Sequence, residues 1–329
     1  MVRKRIFSII SVALLVAISV ISLFFAFPAL TEKEQAEAEG VTDIIRVWHI
    51  DTFEGGKGSR ASFLSNATRR FERNKTYLFM VVSHTVMSAA TALESGETPD
   101  MLSFGTGGAV CPELFLPLEK YDFNYSRQDG KTLAVPWCRG AYFCFTLEGD
   151  FSDMTPDNTV ISEGNYSMAQ VASVCENIPG GKVQNSVSAY VDLLNGKYKY
   201  MLGTQRDIAR FNTRGVQFAC RPVNSFSDLY QYIAILTDNA HKYNIALDFI
   251  SFLLSEERQK ELTGIGMLSQ YYSVYDDGNA AMQEAERVTP LKGVSAFTDE
   301  NAYSEMRALA ARSLSGDGDS LKKLKNFLV

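Results

Sequence analysis

Apolar and polar positions alternate along the chain in short blocks that predict closely spaced strands and helices. Residues 44–50 (Ile-Ile-Arg-Val-Trp-His-Ile) are β-branched and aromatic, the composition of a strand. Residues 51–58 are polar and glycine-rich and predict a loop. Ser59 is placed to cap a helix carrying Phe63, Leu64, Ala67 and Phe71 on one face. A second strand is predicted over residues 77–82, and a short helix over 88–95 is stopped by Gly96. A third strand over 101–104 is entered through Pro99-Asp100. Strand, helix, strand, helix, strand is the pattern of a parallel sheet with helical crossovers.

Further along, residues 132–147 predict two apolar strands around Pro136-Trp137-Cys138-Arg139-Gly140. A segment richer in Ser, Asn and Gly runs to about residue 197, with a helix near 168–174. Tyr200-Met201-Leu202 is a short strand leading into Gly203-Thr204-Gln205-Arg206-Asp207, and residues 229–236 form another apolar run. Ala246, Phe249, Ile250, Leu253 and Leu254 fall at i, i+3, i+4, i+7 and i+8, the strongest helical pattern in the chain. Tyr303, Met306, Ala310 and Leu314 mark a later helix, and Leu321, Leu324 and Leu328 a last one. No internal repeat is evident.

The N-terminus has a different texture. Arg3, Lys4 and Arg5 precede residues 6–27, an uncharged and mostly apolar run of about 22 residues, enough to span a bilayer core. The basic side is expected to stay in the cytoplasm, placing Glu32 onward outside. Residues 1–30 therefore read as a signal-anchor or transmembrane segment and 31–40 as a polar linker. Two fates remain open: an uncleaved anchor, or cleavage at the small-x-small triplet Ala36-Glu37-Ala38. No cysteine follows the apolar run to carry a lipid.

At 329 residues, with 46% hydrophobic and 21% charged residues, the chain has material for two lobes of ordinary globular composition. Its net charge of −6, without a basic run beyond the N-terminus, argues against nucleic acid as a partner. The five cysteines include no Cys-x-x-Cys and read as small buried hydrophobes, at least one unpaired. The three histidines have no metal-ligand spacing, so no metal or cofactor is expected. Gly55-Gly56-Lys57-Gly58-Ser59 lacks the first glycine and the adjacent Gly-Lys-Ser/Thr of a phosphate loop. A nucleophile elbow is absent too.

What remains is a binding constellation. In an open parallel sheet, ligands sit at the carboxyl ends of strands. Trp48, Phe104 and Trp137 fall at such ends or at a strand break, where flat rings offer faces to a pyranose. Asp51, Glu54, Thr106, Arg139, Gln205, Arg206 and Asp207 supply hydrogen-bonding partners for hydroxyls. Trp48 as core packing, and Arg206–Asp207 as a structural ion pair, are alternatives that the sequence leaves open.

Val47-Trp48-His49 before Gly55-Gly56, then Gly96-Glu97-Thr98-Pro99-Asp100-Met101, resembles the first lobe of extracellular solute-binding proteins of the maltose-type, sugar-binding branch. Leu133-Ala134-Val135-Pro136-Trp137 resembles their first crossover between lobes. Residues 246–259, with Phe249, Phe252-Leu253-Leu254-Ser255 and Gln259, resemble a helix of the same family. The resemblance runs from about residue 44 to 275. Two departures stand out: the chain is shorter, with the shortfall in the second lobe, and it lacks the lipid-bearing cysteine of Gram-positive relatives.

The resemblance implies an α/β fold, a two-lobed periplasmic-binding-protein-like clamp. Each lobe would be a mostly parallel sheet flanked by helices, joined by a hinge of multiple crossovers. Residues 41–135 with 228–262 would form lobe one, and 136–227 with 263–329 a reduced lobe two. It further implies extracytoplasmic capture of a mono- or oligosaccharide, cleft closure, and delivery to the permease subunits of an ABC transporter, with no chemistry performed. The alternatives are a membrane-anchored sensor feeding a signalling receptor, and a carbohydrate-active enzyme using Asp51 and Glu54.

Overall fold

The computed structural model describes residues 42–164 and 166–329. The expected N-terminal anchor and linker lie outside these residues. Among the described residues no helix is long and apolar enough to cross a membrane. Residues 42–44 and 72–78 group into a small unit, in which the Thr42 amide and hydroxyl both donate to the Thr76 carbonyl at 2.6 and 3.0 Å. Residues 45–71 and 79–329 form the other.

Along the chain, Asp43–Ile50 is β1, Arg60–Phe71 is α1, Tyr77–His84 is β2, Val86–Glu94 is α2 and Met101–Gly105 is β3. A small hairpin, β4 (Arg127–Gln128) and β5 (Lys131–Thr132), precedes β6 (Val135–Arg139) and β7 (Tyr142–Thr146). Next come β8 (Thr159–Ser162), α3 (Ala169–Glu176), β9 (Lys182–Gln184), α4 (Ser186–Leu194), β10 (Tyr200–Thr204), α5 (Gln205–Thr213) and β11 (Ala219–Pro222). The chain closes with β12 (Tyr230–Ile235), α6 (Ala240–Leu253), α7 (Glu256–Lys260), α8 (Leu262–Ile265), α9 (Ala280–Arg287), α10 (Glu300–Leu314) and α11 (Gly318–Lys325).

Two five-stranded sheets organise these elements, in the orders β2-β1-β3-β12-β6 and β11-β7-β10-β8-β9. In the first sheet β1 and β3 run parallel, as the strand-helix-strand pattern predicts, while β12 is antiparallel to both β3 and β6. In the second, β8 runs parallel to β9 and β10, and β7 is antiparallel to β10 and β11. Each sheet is mixed, and each has its own core. Trp48, Leu102, Phe104, Tyr230 and Tyr232 cluster on the first; Phe143, Phe145, Leu193, Phe211 and Met282 cluster on the second.

The motifs behind the resemblance fasten these parts. Asp100 accepts from the Arg46 amide at 2.7 Å, while its own amide donates to the Arg46 carbonyl at 2.8 Å, so the Pro-Asp entry pins β3 to β1. Gln259 donates to the Trp137 and Leu253 carbonyls, both at 3.0 Å, and accepts from the Ser269 hydroxyl at 2.6 Å. That buried amide ties β6 to α6 and to the segment after α8.

Pro136 does not break the chain, contrary to the sequence expectation. It lies inside β6, an edge strand, opposite a bulge between Gln231 and Tyr232. Edge strands and bulges tolerate a residue without an amide hydrogen. The interruption falls instead at Gly140, where a Cβ would stand 2.9 Å from the Gln205 side chain.

Candidate functional site

The loop after β1 is pinned by one buried arginine. Arg60, at the first position of α1, donates through Nε to Asp51 Oδ1 at 2.7 Å and through Nη2 to the Phe53 carbonyl, and its guanidinium lies 3.8 Å from the centre of the Phe53 ring. Burial by itself raises the Asp51 carboxyl. Hydrogen bonding from His49 and the charge of Arg60 overcome this and hold it below its ordinary value.

Residues 51–54 form one wall of a cavity of about 420 Å³, a size usual for small-molecule sites. The opposite wall comes from the second sheet: Glu163, Gly164, Tyr166 and Ser167 follow β8, and Asn185 and Ser186 follow β9. The cavity thus lies beyond the carboxyl ends of β1, β8 and β9. Its lining is mostly polar. Burial raises the Glu163 carboxyl, and the ion pair with Arg307, Nε to Oε1 at 2.7 Å, works against that. Ser167 accepts from the Gly164 amide at 2.9 Å, and Asn185 caps α4 by accepting from the Ser188 amide at 2.9 Å. The partly exposed Tyr166 ring sits 6.4 Å from that of Tyr303. Carboxylates, hydroxyls, an amide and an aromatic face are the groups that bind a polyol.

Glu54 crosses between the two walls. Its Oε1 accepts from Arg206 Nη1 at 2.8 Å and from the Ser186 hydroxyl at 2.7 Å, and its Oε2 lies 4.0 Å from Arg210 Nη2. Arg206 and Arg210 stand on α5, so a carboxylate of the β1 loop is clasped by the facing lobe. The loop then continues through Gly56, where a Cβ would stand 2.2 Å from the Gly266 carbonyl oxygen. Gly56→Ala is expected to push the loop off residues 265–266 and lower stability by ~1–3 kcal/mol, as overpacking does. A chemical melt checks this, and an unchanged midpoint would show that the loop yields freely.

Of the ten site residues expected from sequence, Asp51 and Glu54 line the cavity and Arg206 meets it through Glu54. The other seven are not among the residues lining it. Trp137 is corrected from a cleft residue to a core residue: it is 0% exposed, its ring stacks on Phe63 at 5.5 Å, and its Nε1 donates to Ser103 Oγ at 3.0 Å. Phe104 is buried and stacks on Tyr232, and Trp48 packs against His84 at 4.6 Å. Thr106 donates to the Asp228 carbonyl at 2.7 Å.

Arg139 is buried because four carbonyls converge on it. It donates to Ser269 O, Ala285 O, Glu286 O and Val288 O at 3.0–3.3 Å. Gln205 accepts from the Ala141 amide at 2.9 Å. Asp207 accepts from the Thr204 amide at 3.1 Å and pairs with Arg210 at 2.9 Å, so it caps α5 from within and pairs with Arg210, not with Arg206. Sequence reasoning missed Glu163, Tyr166, Ser167, Asn185 and Ser186. The short Thr-Val-Ile-Ser strand ending in Glu-Gly is a signal for the first three; Asn185 and Ser186 follow the three-residue β9 and carry none.

Among the described residues, no group of His, Cys, Asp and Glu is arranged to hold a metal ion, and all five cysteines are free thiols. No family model and no curated protein matches the chain in sequence. Solved structures do match its fold. A maltose-maltodextrin binding protein of Alicyclobacillus acidocaldarius superposes with a TM-score of 0.57 and 13% identity, over 86% of this chain and 98% of that one. A cyclic alpha-maltosyl-1,6-maltose binding protein from Arthrobacter globiformis gives 0.58 and 11%, over 87% and 97%. Iron-bound HitA from Pseudomonas aeruginosa gives 0.52 and 14%, over 82% and 99%. The chain has the two-lobed α/β architecture of periplasmic binding proteins.

Proposed function

We propose that the protein captures a carbohydrate, a mono- or oligosaccharide, in the cavity between the β1 loop and the β8 and β9 loops. The observation that carries the reading is the lining itself, in which Asp51, Glu163, Ser167 and Asn185 surround a partly exposed tyrosine face. Such a set accepts and donates to many hydroxyls while a ring covers an apolar sugar face. The neighbours named for maltose and maltodextrin are binding proteins for saccharides, which supports the same class of ligand here. HitA shows that this architecture also takes iron, so the ligand class rests on the lining and not on the fold.

Binding without chemistry fits the carboxylates. Asp51 and Glu54, the pair considered for an acid and a base, are each ion-paired, Asp51 with Arg60 and Glu54 with Arg206. Asp51 is held below its ordinary value and stays ionised at neutral pH, so it is unsuited to giving up a proton as a general acid. In this reading the protein acts on the outer face of a cell membrane and hands its ligand to permease subunits after the lobes close.

A thermal-shift screen of neutral mono- and oligosaccharides tests the capture step, because a ligand stabilises only the state that it binds. A cognate sugar is expected to raise the midpoint. Tyr166→Ala is expected to weaken its affinity by about tenfold, or 1.4 kcal/mol. If no saccharide moves the midpoint, or if Tyr166→Ala binds the cognate sugar as tightly as the parent, the assignment of this cavity fails.

A further inference from the structure

On the far side of the β1 loop lies a second cavity, of about 450 Å³, that the sugar reading does not use. Its lining includes Lys57 from the loop and Arg206, Arg210 and Arg214 from α5 and its end. The three arginines recur every fourth residue and so share one ridge of the helix. Like charges at that spacing destabilise a helix, so the helix itself gains nothing from them. Arg210 and Arg214 lie over the Tyr190 ring, 5.7 and 5.2 Å from its centre. The apolar remainder of the wall is open to solvent, with Val187 63% and Val191 41% exposed.

Two carboxylates reach these cations. Asp207 is buried and neutralises Arg210 from behind. Glu54 sits on Arg206 from the facing lobe. Among the described residues, Lys57 and Arg214 make no ion pair. The groove thus has more cations than anions, in a chain whose net charge is −6, and one of its arginines, Arg206, already holds a carboxylate.

We infer that this groove is an anion site, taking the carboxylate or phosphate group of a small molecule, and that Glu54 is its built-in occupant. An incoming anion replaces Glu54 on Arg206 and gains Lys57 and Arg214, while Tyr190 and the two valines receive whatever body the anion carries. Because Glu54 also forms part of the sugar cavity, displacing it links the two sites. The inference does not rest on the sugar reading.

Calorimetric titration of the full chain at low ionic strength, with inorganic phosphate and with glucuronate, tests it. At least one anion is expected to bind, and to bind more weakly as salt is added. Glu54→Gln removes the internal competitor and should tighten that anion by about tenfold or more. Arg214→Gln, at an exposed position outside the sugar cavity, should weaken it by a similar factor and leave neutral-saccharide binding unchanged. Phosphate alone would assign a free inorganic anion; glucuronate binding would assign the acid group of a sugar. The inference is overturned if neither anion binds Glu54→Gln with an affinity better than about 1 mM. It is equally overturned if Arg214→Gln titrates like the parent.

Discussion

Trp137→Ala is expected to lower stability by ~3–5 kcal/mol, the cost of truncating a large buried aromatic. The ring is fully enclosed, stacks on Phe63 with an interplanar angle of 8°, and donates to Ser103. Ser103 also accepts from Gln231 and faces His49, so removing the indole leaves a cavity beside a buried polar cluster. Saccharide affinity per folded molecule should not change, because Trp137 is not among the residues lining the cavity. Denaturant melts with calorimetry on the same samples check both halves. A loss of affinity with an unmoved midpoint would return Trp137 to the binding face.

A second large effect concerns pH. Asp228 is fully buried just before β12; its Oδ1 accepts from the Tyr142 hydroxyl at 2.7 Å and its Oδ2 from the Tyr303 hydroxyl at 3.3 Å. Burial pushes its carboxyl up to about 7, and the two phenols only partly offset this. Below pH 4 the group is protonated in both folded and unfolded chains. Between about pH 4 and 7 the unfolded chain loses the proton and the folded chain keeps it, so stability falls as pH rises. At ~1.36 kcal/mol per unit of pKa difference the loss is about 4 kcal/mol, and it is complete once the pH passes the folded value.

Asp228→Asn should remove this slope. The stability of the parent minus that of the variant is expected to drop by about 4 kcal/mol from pH 4 to 7. Buried Asp207, raised by burial, slopes the same way in both proteins and cancels in the difference; Glu163, whose charge also raises Asp228, contributes to the difference through that coupling. Parallel curves for the two proteins would show that Asp228 keeps its ordinary value in the core.

The start of the first lobe was legible in the sequence because β1 and β2 are long and the loop after β1 carries glycine. β1 spans eight residues of β-branched and aromatic chain, and Asp51 and Glu54 follow it directly, so two cavity residues could be placed. On the facing wall, β8 has four residues and β9 three, too few for a period to declare itself. Glu163, Tyr166 and Asn185 follow strands that pattern reasoning did not see. Trp137 was misplaced for another reason: proline reads as a break, but an edge strand beside a bulge accommodates it. Arg139 and Gln205 resembled ligand groups because burial on backbone carbonyls and amides leaves no mark on the residue type.

The pairing of β6 with β12 bears on how the protein is made. These adjacent strands flank residues 140–229, which contain the whole second sheet. During synthesis the first sheet cannot gain its last two strands until the chain through β12 has emerged. Closing so long an intervening segment carries an entropy cost that grows with the logarithm of its length, and sheets built from distant partners fold slowly. The second sheet, contained within that segment, needs no strand from outside it. Its strands can therefore pair first, shortening the distance that the first sheet must close, while its core is completed only when Leu268, Met282 and Ala285 follow.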